Sequence, residues 1–443
     1  MKDSKLEVDE RAQRPAPFVL VVREFWRTVA CALYASAIFS GCARTDPHVL
    51  TFAGSAVGKE GDAIRIQLER FASLHPDLRV QVQPTPDASN HRHQLYVQWL
   101  NARAADPDVL QLDLIWTAEF AAAGWILNLD AVDAQGDDFF PATIKANRWN
   151  GVLYALPWYV DTGMLYWRTD VAAHAPTDLD DLRELSERGM RDHSIPFGFV
   201  WQGARYEGLV TVFLEQLGAF GGAILDESGR VVVDSERAVD ALTFMRDSIY
   251  ADGFVPAAVL SWQEEQARMS FQNGQAVFMR NWPYAYSVLR DPAQSRVAGR
   301  FQVARMPASA GGSPTAALGG SALAINANSG DREAASELIA YLLQPAQLLE
   351  RARITGEYPP RPTMYQSSEL SDTLQVDPSV VREIIDAAVP RPVTPVYTEL
   401  SQILQIGLHR ALTRQQEPRA ALQQAAHDIR NLLEKTTLHE VKR

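Results

Sequence analysis

The sequence predicts an α/β fold of two lobes joined by more than one chain crossing, on three observations. The N-terminal third alternates short apolar strands with amphipathic helices, the pattern of a parallel sheet covered by helices. At 443 residues the chain is longer than one core ordinarily organises, at roughly 150 residues per domain. Leu153–Arg168 and Gly311–Pro314 then interrupt the pattern with proline and glycine, where a chain leaving one lobe for another turns.

Taken in order, His48–Phe52 is an apolar strand. Ile64, Leu68 and Phe71 follow at i, i+4 and i+7, one face of a helix. Leu78–Val82 alternates as a strand, Gln94–Ala104 reads as a second helix, and Val109–Trp116 as a third strand. In that strand Leu110, Leu112 and Leu114 share one face, leaving Gln111 and Asp113 on the other. Asp113 falls near the carboxyl end, the side on which open α/β sheets bind ligands; an edge-strand surface carboxylate is the plainer alternative. Further on, Asp234 or Ser235 caps a helix burying Ala238, Leu242, Met245 and Ile249, and Asn281 caps one with Pro283 in its first turn. Phe271–Arg280 supplies a turn and then a buried strand. Leu323–Ile325 is a strand, Asp331–Leu343 a helix, and the tail ends in amphipathic helices.

Composition narrows the function. With 42 basic against 54 acidic residues and a net charge of −12, the chain lacks the clustered cations that phosphate backbones require, so a nucleic-acid partner is not expected. Two cysteines, both near the start, cannot staple the body or build a thiolate metal site. Cys31 lies in the uncharged stretch Thr28–Ser40, preceded by Arg23 and Arg27. That stretch is too short for a membrane span of ~20 residues but fits a signal-peptide core of ~7–15. Phe39-Ser40-Gly41-Cys42 then resembles a lipobox, with Phe39 where leucine is usual. Residues 1–42 therefore read as an export signal with lipidation at Cys42; a buried N-terminal helix is the alternative. The expectation is an exported protein, periplasmic or anchored on the extracytoplasmic face, touching the membrane only through that lipid.

No GxSxG, HExxH, GxxxxGK[ST] or strand-borne GxGxxG motif is present. His91 and His93 flank Arg92 at i, i+2, a spacing for two metal ligands on a strand, but no further ligand completes a site, so no metal and no cofactor is expected. Glu60, Asp113 and Asp161 would suffice for the facing carboxylates of a glycosidase, which sequence spacing does not exclude. What stands out is aromatic rings beside polar groups: Leu114-Ile115-Trp116 after Asp113, Trp158-Tyr159-Val160-Asp161, Trp201-Gln202 and Asn281-Trp282-Pro283-Tyr284. Carbohydrates need this mixture, flat rings against C–H faces and charged groups against hydroxyls. Any one of these rings is more often core.

Seven blocks in order carry a family resemblance: DPDVLQLDLIW (Asp106–Trp116), GWILNLD (Gly124–Asp130), LYALPWYVDTGMLYWR (Leu153–Arg168), GFVWQGARYEGLV (Gly198–Val210), FMRNWPYAY (Phe278–Tyr286), ALGGSALAI (Ala317–Ile325) and AVPRPVTPVY (Ala388–Tyr397). The chain resembles the extracellular solute-binding proteins of sugar ABC transporters, in their trehalose/maltose-binding branch. The resemblance implies a two-lobed periplasmic-binding-protein fold of type II, maltose-binding-like, with a hinge between lobes. The lobes would be 48–157 plus 312–345 and 158–311 plus 346–443, with Pro157 at the first crossing. It implies a non-catalytic, monomeric protein that closes on an α-linked disaccharide, trehalose or maltose, and docks on permease subunits. Sugar contacts carried over by position are Glu60, Arg92, Asp113, Tyr159, Asp161, Trp282, Tyr284 and Arg361, with Gly319 and Gly320 bringing backbone close to the ligand. Two positions depart from the pattern: Ser321 stands where close relatives have tryptophan, which enlarges or re-polarises the pocket, and Pro360 where they tend to have glycine. A secreted carbohydrate-active enzyme using the same carboxylates, and an envelope interaction protein that binds no sugar, are the competing readings.

Overall fold

The computed structural model describes residues 48–56, 58–86, 89–130 and 138–440, so the expected export signal and its Cys42 lie outside the described residues. Twelve strands occur in it: β1 (His48–Ser55), β2 (Leu78–Thr85), β3 (Val109–Asp113), β4 (Arg148–Trp149), β5 (Val152–Leu153), β6 (Leu156–Thr162), β7 (Met164–Arg168), β8 (Phe197–Val200), β9 (Ala276–Asn281), β10 (Phe301–Ala304), β11 (Ala316–Ile325) and β12 (Ala388–Val389). They form a sheet in the order β12-β11-β3-β1-β2 with β6 also on β11, a second sheet β10-β7-β9-β8, and the small hairpin β4-β5.

The first lobe begins as its sequence predicts. The helix Gly58–Leu74 buries Ile64, Leu68 and Phe71, the three apolar positions on one face. Its sheet is mixed rather than parallel: β1 and β3 run parallel, but β11 lies antiparallel to both β3 and β6. The cause is topological. β11 enters from the second sheet, through the glycine-bearing segment after β10, and therefore runs against strands that began in the first.

The third strand ends at Asp113 instead of reaching Trp116. Asp113 accepts a hydrogen bond from Ile115 N through Oδ1 (3.3 Å), capping a 3₁₀ turn at Leu114–Trp116. Asn281 likewise ends β9, accepting from Trp282 N, and Pro283 immediately precedes the helix Tyr284–Leu289. Asp331 caps Arg332–Leu342 through a bond from Ala334 N (3.0 Å).

The crossings fall at different residues from those expected. Pro157 lies inside β6, paired with Ala322 in the first sheet, and the chain changes sheet at Gly163. A second crossing is the segment 305–315, which contains the expected Gly311–Pro314. Residues 346–389 do not join the second lobe. The helix Pro345–Thr355 packs on Gly58–Leu74, where Gln67 Nε2 donates to Gln347 O (2.7 Å) and Arg70 pairs with Glu350 (2.8 Å). Val160 N then donates to Tyr358 O (2.8 Å), and β12 pairs with β11. Only at 390–396 does the chain cross back, to the helices Tyr397–Leu412 and Pro418–Glu440 that pack with Glu207–Ala219 and Glu236–Tyr250. Three passages between sheets are hinge architecture. Among the described residues no helix is long and apolar enough to cross a membrane.

Candidate functional site

Strand register assembles the centre of the site. In β11, Ser321 lies opposite Asp113 of β3 on one side and Tyr159 of β6 on the other, while Gly319 lies opposite Asp161. Three strands far apart in sequence thus deliver Asp113, Tyr159, Asp161 and the paired glycines to one place. Gly320 requires its residue type: its φ is +109°, and a Cβ there would stand 2.2 Å from Tyr159 O. Gly319 is where the two lobes meet, since a Cβ on it would be 3.2 Å from Trp282 Cζ3 and 3.3 Å from Asp161 Cβ.

Ser321 is buried and turns inward. Its Oγ donates to Tyr159 Oη (3.0 Å) and accepts from Gln111 Nε2 (3.2 Å), so the position re-polarises the strand interface rather than opening a hole. Tyr159 is held by this net, and burial raises its phenol well above the usual range. Ser321→Ala is expected to cost about 1 kcal/mol, a fall of ~2–4 °C in Tm for a lobe of this size. Calorimetry showing an unchanged Tm would mean that the tyrosine is fixed by its packing alone.

Asp161 is half-buried. Loss of hydration, then the neighbouring carboxylates Glu357, Glu60 and Asp113, push its carboxyl up to about 8. Glu60, in the first turn of its helix, lies 4.0 Å from Arg351 Nη2. Arg351 is 2% exposed, stacks 3.7 Å from the Trp158 ring centroid and 5.0 Å from that of Tyr159, and places Nε 2.6 Å from Glu357 Oε2. That last contact is close but not aligned as a hydrogen bond, and both Nη atoms also lack one. Burial pushes Glu357 up to about 7 against the pull of Arg351.

The second lobe contributes the end of β9. Trp282 Nε1 donates to Glu264 Oε1 (3.4 Å), and Tyr284 Oη to Glu265 Oε1 (2.6 Å); Tyr284 is exposed. Although the ring is exposed, loss of hydration around its hydroxyl and the bond to Glu265 raise the Tyr284 phenol.

The two arginines expected from the resemblance both pack against aromatic rings. Arg92 is buried against the Trp116 ring, 5.9 Å from its centroid. His91 and His93 are on the helix Ser89–Asn101, not a strand, so an i, i+2 spacing points them apart; His93 Nε2 lies 2.8 Å from Glu119 Oε2. No group of three metal-ligating side chains occurs among the described residues. Arg361 packs over Phe139, 4.4 Å from its centroid, with Nε donating to Leu343 O (3.2 Å) and Nη1 3.7 Å from Asp138.

The arginine brought to the carboxylates is Arg391, at the third crossing. Its Nη2 donates to Leu318 O (3.3 Å) and lies 3.5 Å from Asp113 Oδ1, while Nη1 donates to Glu207 Oε1 (3.0 Å) at the start of the helix Glu207–Ala219. Tyr397 Oη donates to the same Glu207 oxygen (2.6 Å), and Ser401 Oγ to its other one. A first-lobe carboxylate and a second-lobe carboxylate thus share one cation. Arg391 lies in the block Ala388–Tyr397 that supported the resemblance, so its signal was on the page and unassigned. Arg351, Glu357 and Glu264 had no local signal, because charged residues on helices are ordinarily solvent-facing. Next to Arg391 a cavity of about 10 Å³, lined by Leu114, Leu318 and Pro390, holds at most one water.

Residues 56–348 match the family model described as bacterial extracellular solute-binding protein. A probable ABC transporter-binding protein of Deinococcus radiodurans is 33% identical over 406 residues, 89% of this chain and 96% of the relative. Among solved structures, maltose-bound MalE3 of T. maritima is 42% identical with a TM-score of 0.77, over 87% of this chain and 99% of the other. The acarbose receptor GacH of Streptomyces glaucescens shares the fold at 22% identity and a TM-score of 0.76, over 87% and 99%. These are proteins that bind solutes rather than transform them, and the family is an extracellular one. A match across most of the chain, on the two-lobed fold just described, makes this chain a member of the bacterial extracellular solute-binding proteins.

Proposed function

We propose that the chain is the binding component of an ABC sugar importer, taking an α-linked disaccharide, maltose or trehalose, between its lobes and delivering it to a permease as a monomer. The observation that carries this reading is the convergence of Asp113, Asp161 and Tyr159 from one lobe with Trp282 from the other around Gly319. Carboxylates accept from sugar hydroxyls, Arg391 donates beside them, and the indole offers a flat face to the ring C–H groups. Glu60 and Tyr284 complete the wall on either side, and Gly320 lets backbone approach. The similarity to maltose-bound MalE3 favours maltose within the class. Cys42 would tether the exported protein to the membrane.

A thermal-shift panel of mono- and disaccharides tests the reading. A ligand at 100 times its Kd stabilises by about 2.7 kcal/mol, so maltose or trehalose should raise Tm by several degrees and glucose by less. No shift with any sugar would leave the interaction-protein reading. The enzyme reading draws on one observation, the raised carboxyl of Asp161 beside other carboxylates, the pattern of an acid–base pair. It forecasts glucose release during hours of incubation; the binding reading forecasts intact disaccharide.

A further inference from the structure

The second lobe holds an ion pair that the site just described does not use. Arg280 of β9 and Glu215 of the helix Glu207–Ala219 are both wholly buried. Arg280 Nε lies 3.1 and 2.9 Å from the two Glu215 oxygens, and Nη1 donates to Gln202 Oε1 (3.2 Å), whose own Nε2 returns a bond to Arg280 O (3.0 Å). The guanidinium is therefore fixed in plane. Its Cζ lies over the Trp282 indole, 4.1 Å from the ring centroid.

The other end of the pair reaches the crossings. Glu215 Oε1 accepts from Ala317 N (3.2 Å), two residues before Gly319, and Ala317 O accepts from Gly163 N (3.3 Å) at the point where the chain changes sheet. Gly163 packs directly on the pair: a Cβ there would stand 1.8 Å from Glu215 Oε1 and 2.5 Å from Arg280 Nη2. One buried salt bridge thus touches the first crossing, the start of β11 and the back of the indole. A buried ion pair is a poor source of stability, because apolar residues of similar volume serve as well or better. What apolar residues cannot do is hold a planar cation under an indole while accepting from a strand N–H.

The geometry points to Arg280, clamped by Glu215 and Gln202, as a positioning residue that sets the Trp282 indole against Gly319 and Asp161. It rests on the reading of Trp282 as a sugar-facing ring. With Arg280 on one face of the indole, only the other is left for a ligand, and its angle is fixed relative to the crossings about which the lobes turn.

The test replaces both partners, Arg280→Met with Glu215→Leu, in the full chain labelled with 5-fluorotryptophan. The Trp282 ¹⁹F resonance is assigned by its loss in Trp282→Phe. The expected result is a folded protein, a displaced Trp282 resonance without sugar, and at least tenfold weaker maltose binding by calorimetry. A resonance at its wild-type position, or a displaced resonance with unchanged affinity, overturns the proposal. If the wild-type protein binds no sugar, the sugar reading fails and the binding role of Arg280 with it, whereas the sugar-free resonance still reports whether the pair orients the ring. Should the double variant not fold, Arg280→Lys carries the same readouts, since an ammonium lacks the fork that spans Glu215 and Gln202.

Discussion

Asp161→Asn is expected to weaken disaccharide binding at least tenfold and, in the same protein without sugar, to raise Tm at pH 8 and above. Each half follows from the environment of one carboxyl. Held up at about 8 by burial and by Glu357, Glu60 and Asp113, Asp161 binds a proton in the folded state across the range from its ordinary 3.8 upward. A group raised in this way stabilises fully below its unfolded value, and that contribution is lost as pH climbs through the folded one. The ionised form is a liability that asparagine removes, so the Tm difference should grow as pH rises from about 4, reach a few degrees by pH 8 and level off above it, and vanish only below 3.8, where the carboxyl is neutral in both states. Sugar hydroxyls donate more strongly to the ionised form, so wild-type affinity should tighten from pH 6 to pH 9 while the asparagine variant stays flat. Calorimetric titrations at three pH values check both. Asp113→Ala should lose at least tenfold as well, and wild-type affinity in either variant would remove that residue from the site. A pH-independent wild-type Kd would show that Asp161 meets the ligand already ionised or not at all.

How much of this was legible in the sequence depends on the range of the interaction. The helix at Ile64, Leu68 and Phe71, the strand carrying Gln111 and Asp113, and the cap at Asp331 are local, with periodicity or one side chain deciding them. Tyr159, Asp161 and Trp282 lie in ordered blocks of resemblance, and the register of β3, β11 and β6 brings the first two to Asp113. The crossing was misplaced because proline reads as a break, whereas Pro157 sits opposite Ala322 at the bulge beside Ser321, where the pairing register slips. The true crossing needed a glycine for a non-local reason, the side chains of Glu215 and Arg280 packed against it. Ser321 read as a lost stacking face because its partners, Tyr159 and Gln111, are more than 150 residues away. Arg391 went unassigned for the same reason, since its partners Glu207, Asp113 and Leu318 are more than 70 residues away.

Arg391→Ala should therefore abolish measurable disaccharide binding and lower Tm by roughly 6–12 °C, while Arg361→Ala should leave affinity within about twofold. Breaking a buried pair by removing one partner costs about 3–5 kcal/mol, toward the lower end here because both carboxylates keep some solvent, and 1 kcal/mol moves Tm by ~2–4 °C for a lobe of this size. With Arg391 gone, Asp113 and Glu207 lose the cation they share, and the third crossing loses its link to Leu318. The loss should exceed that of a sugar contact alone, because Asp113 would also lose the partner that aims it. Arg361 stacks on Phe139 and donates to Leu343, so its removal should lower Tm without touching the cleft. Affinity and Tm measured side by side separate the two. Equal affinity losses would return Arg361 to the site; a selective loss at Arg391 identifies the cation that spans the lobes. Arg391→Lys gives the finer answer: an ammonium can reach one carboxylate but not bridge two as a planar fork does, so Tm should recover in part while binding stays weak.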